Sequence, residues 1–198
     1  MTETPPSDPS NGYDAIADLY RETRSSTGRA LVRDWVRALP AGADILDLGA
    51  GTGEPITSSL IEAGAQVAAI DASPTMVTLF RQRFPDIPIA CEPVETSAFF
   101  NQKFDAVLSV GLIFQLSPPT QVALLKRVSN ALKPGGRFLF SAPIKIATWK
   151  DLMTEQTSQS LGHDAYITAL VDAGFRHIES LHDEGGSCLL YTSDAADD

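Results

Sequence analysis

Cysteine is nearly absent. Cys91 and Cys188, the two in 198 residues, stand too far apart for a disulfide framework or a thiolate metal site. They read as buried or free thiols in a reducing compartment, and neither makes a persuasive nucleophile. Long apolar runs are missing as well. No stretch of about 18 uncharged apolar residues occurs, so no membrane-spanning helix and no membrane partner is expected. The opening MTETPPSDPS has no apolar stretch behind a basic one, which argues against a signal peptide and for a cytoplasmic protein. Basic residues are scarce: 15 Lys and Arg face 25 Asp and Glu, a net charge of −10. That balance argues against a sequence-independent grip on nucleic acid, which depends on Lys and Arg displacing phosphate counterions. The shortage is complete in residues 178–198, which hold six acids and no Lys or Arg, whereas residues 1–177 hold 15 basic and 19 acidic groups. A local basic patch in that larger part stays open.

What is present is a 43% apolar composition. At this length that is enough for one domain burying roughly 70% of its unfolded surface. Ile16, Leu19 and Tyr20 share a helical face, and a second helix presents Leu31, Trp35, Val36 and Leu39 before Pro40. Short apolar runs then alternate with helical patterns. Strands are predicted at Ala43–Leu48, Gln66–Ile70, Ile87–Ala90, Phe104–Val110 and Arg137–Ser141, and helices at about 54–63, 73–83, 119–132 and 163–173. Ser73-Pro74 supplies an N-cap with Pro at the first helical position. Pro134-Gly135-Gly136 is read as a turn, residues 142–162 as irregular or partly helical, and Arg176–His182 with Cys188–Thr192 as a terminal hairpin around Asp183–Gly186. Strands joined by crossover helices imply an α/β fold with a parallel sheet covered on both faces, binding ligands at the carboxyl ends of its strands.

Asp47-Leu48-Gly49-Ala50-Gly51-Thr52-Gly53 lies where the first strand hands over to the first crossover helix. Such glycines permit positive φ and let a ligand press against main chain, though many glycine-rich loops are only tight turns. Asp71 closes the second strand 18 residues after Gly53, where a carboxylate can accept from both hydroxyls of a ribose. Asp47 suits an ammonium group better than a pyrophosphate, and GxGxG spacing also disfavours a dinucleotide. Asp47 can equally cap the loop's own N–H groups.

Together these segments resemble the class I S-adenosylmethionine-dependent methyltransferases. The resemblance rests on ILDLGAGTGEP (45–55), AAIDASPTMV (68–77), CEPVE (91–95), FDAVLSVGLIFQL (104–116) and LKPGGRFLF (132–140), whose order and spacing are specific as a set. It implies a Rossmann-like seven-stranded, mostly parallel sheet with an antiparallel last strand, helices on both faces and an N-terminal helical addition. Residues 1–12 are then a flexible N-terminus, 13–40 the added helices, and 41–192 the methyltransferase domain. The tail SCLLYTSDAADD (187–198) is atypical and resembles read-through sequence at the ends of translated genomic fragments, so it is set apart as a candidate non-native segment.

The resemblance also implies site roles. Gly49, Ala50, Gly51 and Gly53 line the methionine portion of S-adenosyl-L-methionine, with Asp47 near its ammonium. Asp71 holds the ribose, Ala72 and Met76 lie beside the adenine, and Glu92 accepts from the adenine amino group. Pro93 stands where the family often has a backbone donor, so Val94 or apolar contact takes over that task. Ser109, Val110 and Gly111 form the floor under the transferring methyl, and no metal is called for. A sulfonium methyl is already electrophilic, so a general base is not obligatory. His163, Tyr20 and Gln115 are the weak catalytic candidates. His163 competes with a plain surface histidine at a helix start, and Gln115 replaces a His frequent in the family. Tyr13 and Tyr20 share a helical face that either lids the site or packs on the sheet. Trp149, Lys150 and Asp151 fall where acceptor-binding elements usually lie. A methyltransferase acting on a small-molecule acceptor is the leading expectation, ahead of a non-catalytic S-adenosylmethionine-binding regulatory module and a nucleotide-dependent oxidoreductase.

Overall fold

Asp44–Leu48 forms strand β1, buried along nearly its whole length because neighbours flank it on both sides. In the computed structural model, which describes residues 8–182 and the backbone of 188–194, β1 pairs in parallel with β2 (Gln66–Asp71) and with β4 (Phe104–Ser109). Parallel pairing continues outward from β2 to β3 (Ile89–Cys91) and from β4 to β5 (Leu132–Ser141). Beyond β5 the sheet is completed by β9 (Cys188–Asp194), antiparallel to β5, and by β8 (Phe175–His182), antiparallel to β9. The seven-stranded order β3-β2-β1-β4-β5-β9-β8 is thus mostly parallel with one reversed strand. The atypical tail supplies that reversed strand, while residues 183–187, where the hairpin turn is expected, and residues 1–7 and 195–198 lie outside the described residues.

Each crossover helix follows from its sequence. α3 (Ile56–Glu62) buries Ile56 and Leu60, and α4 (Pro74–Arg83) starts where the Ser73 hydroxyl accepts from the Met76 N–H. α5 (Pro118–Ala131) and α6 (His163–Asp172) cover the sheet together with Phe138, Phe140 and Phe175. On the other face, α2 (Arg29–Arg37) turns Val32, Trp35 and Val36 onto α3, Ile45 and Leu139. The preceding α1 (Ala17–Thr23) buries only Ala17, so it sits over the sheet's end.

Two expectations need correcting. Residues 132–136 belong to β5: Leu132 pairs with Phe104 and Arg137 with Ala106, so Pro134-Gly135-Gly136 forms a bulge within the strand. Residues 142–162 contain a second, two-stranded sheet, β6 (Ala147–Lys150) antiparallel to β7 (Thr157–Ser160). Its anchorage is polar. The fully buried Tyr166 hydroxyl donates to Gln121 Oε1 at 2.6 Å, and Gln121 Nε2 donates to the carbonyls of Leu116 and Gln159. Because the network is satisfied at every step, it fixes the hairpin against α5 and α6 without apolar patterning.

Candidate functional site

A cavity of about 380 Å³ opens at the carboxyl ends of β1, β2 and β4. Its floor is the loop after β1. Gly49 has φ +72°, and a Cβ there would stand 3.0 Å from the Leu112 side chain. Gly51 has φ +56° and faces the Tyr20 ring. Both glycines keep main chain at the cavity surface, where side chains would fill the space. Gly53 serves packing instead: a Cβ would lie 2.5 Å from the Phe84 ring and 3.0 Å from Phe80.

Asp71 enters the cavity from the end of β2. Its Oδ2 accepts from the Gly51 N–H at 2.7 Å and its Oδ1 from the Ser73 N–H at 2.9 Å. An ionised carboxylate has about four acceptor positions, so each oxygen keeps one for a ligand hydroxyl. Burial pushes its pKa up, against those two bonds. Asp47 lies beneath the loop, 2% exposed, and accepts from the Thr57 hydroxyl at 2.6 Å. Desolvation raises its pKa to about 7, opposed by the Thr57 bond and by Arg24 and assisted by the negative charge of Asp71.

The N-terminal residues form the roof. Asp8 organises a turn by accepting from the Ser10 and Gly12 N–H groups, and Pro9, Ser10 and Asn11 reach the cavity wall. Asp14 Oδ1 accepts from the Ser73 hydroxyl at 2.6 Å and from the Thr75 N–H at 2.8 Å, securing this segment to the start of α4. Tyr13 and Tyr20 meet edge to face at 5.6 Å, and both line the cavity. Across the opening, the Tyr13 hydroxyl donates to Asp151 Oδ2 at 3.1 Å, joining the roof to the β6–β7 hairpin. Phe114 packs on Trp149 at 5.5 Å and brings that hairpin over the loop that follows β4.

Of the residues singled out in the sequence, Gly49, Gly51, Asp71, Ala72, Met76, Pro93, Val94, Val110, Tyr20 and Gln115 converge on this cavity. Asp47, Ala50, Gly53 and Ser109 sit outside the lining. Ser109 is fully buried with no hydrogen-bond partner for its hydroxyl among the described residues. Glu92 is also outside. Its N–H continues the ladder by donating to the Asp71 carbonyl, after which the turn at Pro93 brings Val94 and Glu95 to the wall. His163 is absent from the lining; it opens α6, its N–H donating to the Ile144 carbonyl. Gln115 turns its amide nitrogen onto the Gly111 carbonyl, and the Gly111 N–H donates to the Ser141 hydroxyl at 2.7 Å.

Sequence reasoning missed Arg24. It caps the C-terminal end of α1, its guanidinium lies 5.7 Å from the Tyr20 ring centroid, and its buried Nε has no partner among the described residues. The available signal was a basic residue one helical turn after Tyr20, on the face already chosen for its tyrosines.

A profile for the family described as "Methyltransferase domain" matches residues 45–136. A demethylmenaquinone methyltransferase of Streptomyces griseus subsp. griseus is 33% identical over 167 residues, covering 78% of this chain and 68% of that one. Another, from Paenarthrobacter aurescens, is 33% identical over 155 residues, covering 75% of this chain and 58% of that one. The chain therefore spans less than two thirds of that relative's length. Among solved structures, the CcbJ methyltransferase of Streptomyces caelestis superposes with a TM-score of 0.81 at 17% identity, covering 96% of this chain and 100% of that one, and so shares the fold.

Proposed function

The chain belongs to the class I S-adenosylmethionine-dependent methyltransferases, and from that premise we propose that it methylates a small-molecule acceptor. The observation that carries this reading is the convergence of two positive-φ glycines, a carboxylate with spare acceptor positions and a guanidinium with a free N–H on one cavity. These groups match the hydroxyls, ammonium and carboxylate of S-adenosylmethionine. When bound, that group supplies a methyl already activated by the positive sulfur.

Asp71 holds the ribose through its two unused acceptor positions. Ala72, Met76 and Val94 enclose the adenine by apolar contact, which fits the lack of an N–H at Pro93. Arg24 takes the methionine carboxylate, and Asp47 supplies negative potential from beneath the glycine loop. Val110 and Gly111 line the cavity at the tip of β4. Tyr13, Tyr20 and Phe114 keep water away with aromatic surface. Holding an acceptor in line at roughly 3–3.5 Å is the principal catalytic task, because the leaving group needs no further activation.

Calorimetric titration tests the binding step. S-adenosylmethionine and S-adenosylhomocysteine should bind, with melting raised by about 2.7 kcal/mol of stabilisation at roughly 100 times the dissociation constant. A melting shift with NAD and none with S-adenosylmethionine would overturn the reading. Release of S-adenosylhomocysteine from methyl-labelled cofactor and a metabolite panel tests turnover.

A further inference from the structure

The charges around the cavity are unevenly distributed. Among the described residues Arg24 is the one cationic side chain in the lining, and it lies where Tyr20 faces Gly51. Asp151 stands on the far side of Tyr13, whose ring meets that of Tyr20 edge to face. The hairpin that carries it packs through Trp149 on Phe114, beyond β4, and is held there by the Gln159 carbonyl bond to Gln121. This places Asp151 in the cavity wall on the side of the loop that follows β4.

The two oxygens of Asp151 are used differently. Oδ1 is saturated by the Met153 N–H at 2.9 Å, the Thr154 N–H at 2.9 Å and the Thr154 hydroxyl at 3.2 Å. Among the described residues Oδ2 receives only the Tyr13 hydroxyl, and it keeps an acceptor position. No Lys or Arg pairs with this carboxylate among the described residues. Partial burial pushes its pKa up, but the bonds from Thr154, Met153 and Tyr13 outweigh that and hold it below the usual carboxylate range. An ionised group partly removed from water, with no cation paired to it, stabilises positive charge that enters beside it.

We propose that the acceptor is an amine and that Asp151 selects it. The proposal rests on the cavity being the S-adenosylmethionine site. In the transfer, the lone pair of a neutral amine forms the new N–C bond while the S–C pair remains on sulfur, leaving a neutral thioether. The positive charge crosses from sulfur to nitrogen, and the ammonium product later gives a proton to water. Asp151 favours that crossing because the charge develops on the side it faces. An acceptor carboxylate meets repulsion there. An ammonium acceptor and a phenol must each first give a proton to water, since a carboxylate of depressed pKa is a poor base for groups that titrate near 10; deprotonation leaves the amine neutral but the phenolate anionic beside Asp151, so only the amine escapes repulsion.

Sinefungin, in which a carbon bearing an ammonium group replaces the sulfonium centre, puts a cation at the transfer position without needing the acceptor. Its affinity relative to S-adenosylhomocysteine, measured by calorimetry, is the readout. Asp151→Asn retains an oxygen for the Met153 and Thr154 N–H groups while removing the charge. It should cut the sinefungin preference at least tenfold with S-adenosylhomocysteine affinity within threefold of the parent. Tyr13→Phe, which frees Oδ2, should keep or widen the preference. An unchanged ratio in Asp151→Asn, or equal losses for both ligands, overturns the proposal. Failure of the parent protein to bind either ligand instead sinks the cofactor reading beneath it. With methyl-labelled cofactor and a mixed small-molecule pool, label on products retained by a cation exchanger at pH 7 supports an amine, and label on neutral or acidic products overturns it.

Discussion

The two ends of the cavity are built by different means. The end at β1 and β2 comes from one stretch, residues 47–76, in which a strand, a glycine loop and a second strand place their ligand groups through backbone geometry. The end at Tyr13 and Asp151 joins residues 138 positions apart through a side-chain hydrogen bond. The first can hold a fixed ligand because main-chain N–H groups of Gly51 and Ser73 lock the Asp71 carboxylate in place. The second can change its contacts by exchanging a few side chains on a roof and a hairpin, leaving the sheet untouched. Fixed backbone geometry in one half and exchangeable side-chain contacts in the other require no second domain.

The largest effects should come from breaking the backbone-built end. Gly53→Ala forces a Cβ into Phe84 and Phe80 at a φ of +84°, and a loss of about 3 kcal/mol in urea unfolding is expected from combined strain and overpacking. Asp71→Ala removes the two proposed ribose acceptors and releases the Gly51 and Ser73 N–H groups. Affinity for S-adenosylhomocysteine should fall at least about 100-fold, from the loss of hydrogen bonds to a charged group; a change under threefold would contradict the ribose assignment. At the other end, Tyr166→Phe leaves Gln121 Oε1 buried without its donor. About 1–3 kcal/mol of stability should be lost, with cofactor affinity nearly unchanged once the protein is folded.

A smaller and reversible effect distinguishes the ends by pH. The pKa of Asp47 is raised to about 7 in the folded protein, against about 4 when unfolded. Folding therefore favours its protonated form, and this contribution to stability is lost as pH rises from about 4 through about 7. A bound ammonium group favours the ionised form, so affinity for S-adenosylhomocysteine should rise severalfold between pH 6 and 8. Asp47→Asn should flatten that profile in calorimetric titrations. At the surface, Arg29→Ala breaks the exposed pair with Glu62 and should change stability by under about 1 kcal/mol.

Legibility in the sequence follows the same division. Asp47 through Asp71 could be read because strand, loop and strand are adjacent, and each glycine or carboxylate has a meaning fixed by its place in that unit. The β6–β7 hairpin could not. ATWK and TSQS carry little apolar alternation, and their anchor is a hydrogen-bond network from Tyr166 and Gln121, residues that look like ordinary helix positions. Arg24 was hidden for a related reason: its neighbours in the fold, Tyr20 and the glycine loop, become informative only once α1 is known to lie over the sheet's end. The placement of Glu95 rather than Glu92 at the wall turned on where β3 stops, which a three-residue strand leaves ambiguous in sequence.

Tyr13 and Asp14 are consecutive, yet they grip opposite banks: one the hairpin, the other the beginning of α4. A single peptide unit thus acts as the clasp between the two compartments. The roof cannot be lifted from one bank without loading its hold on the other. Under the proposed function, increased solvent viscosity should slow turnover in proportion to how far opening of that roof limits kcat.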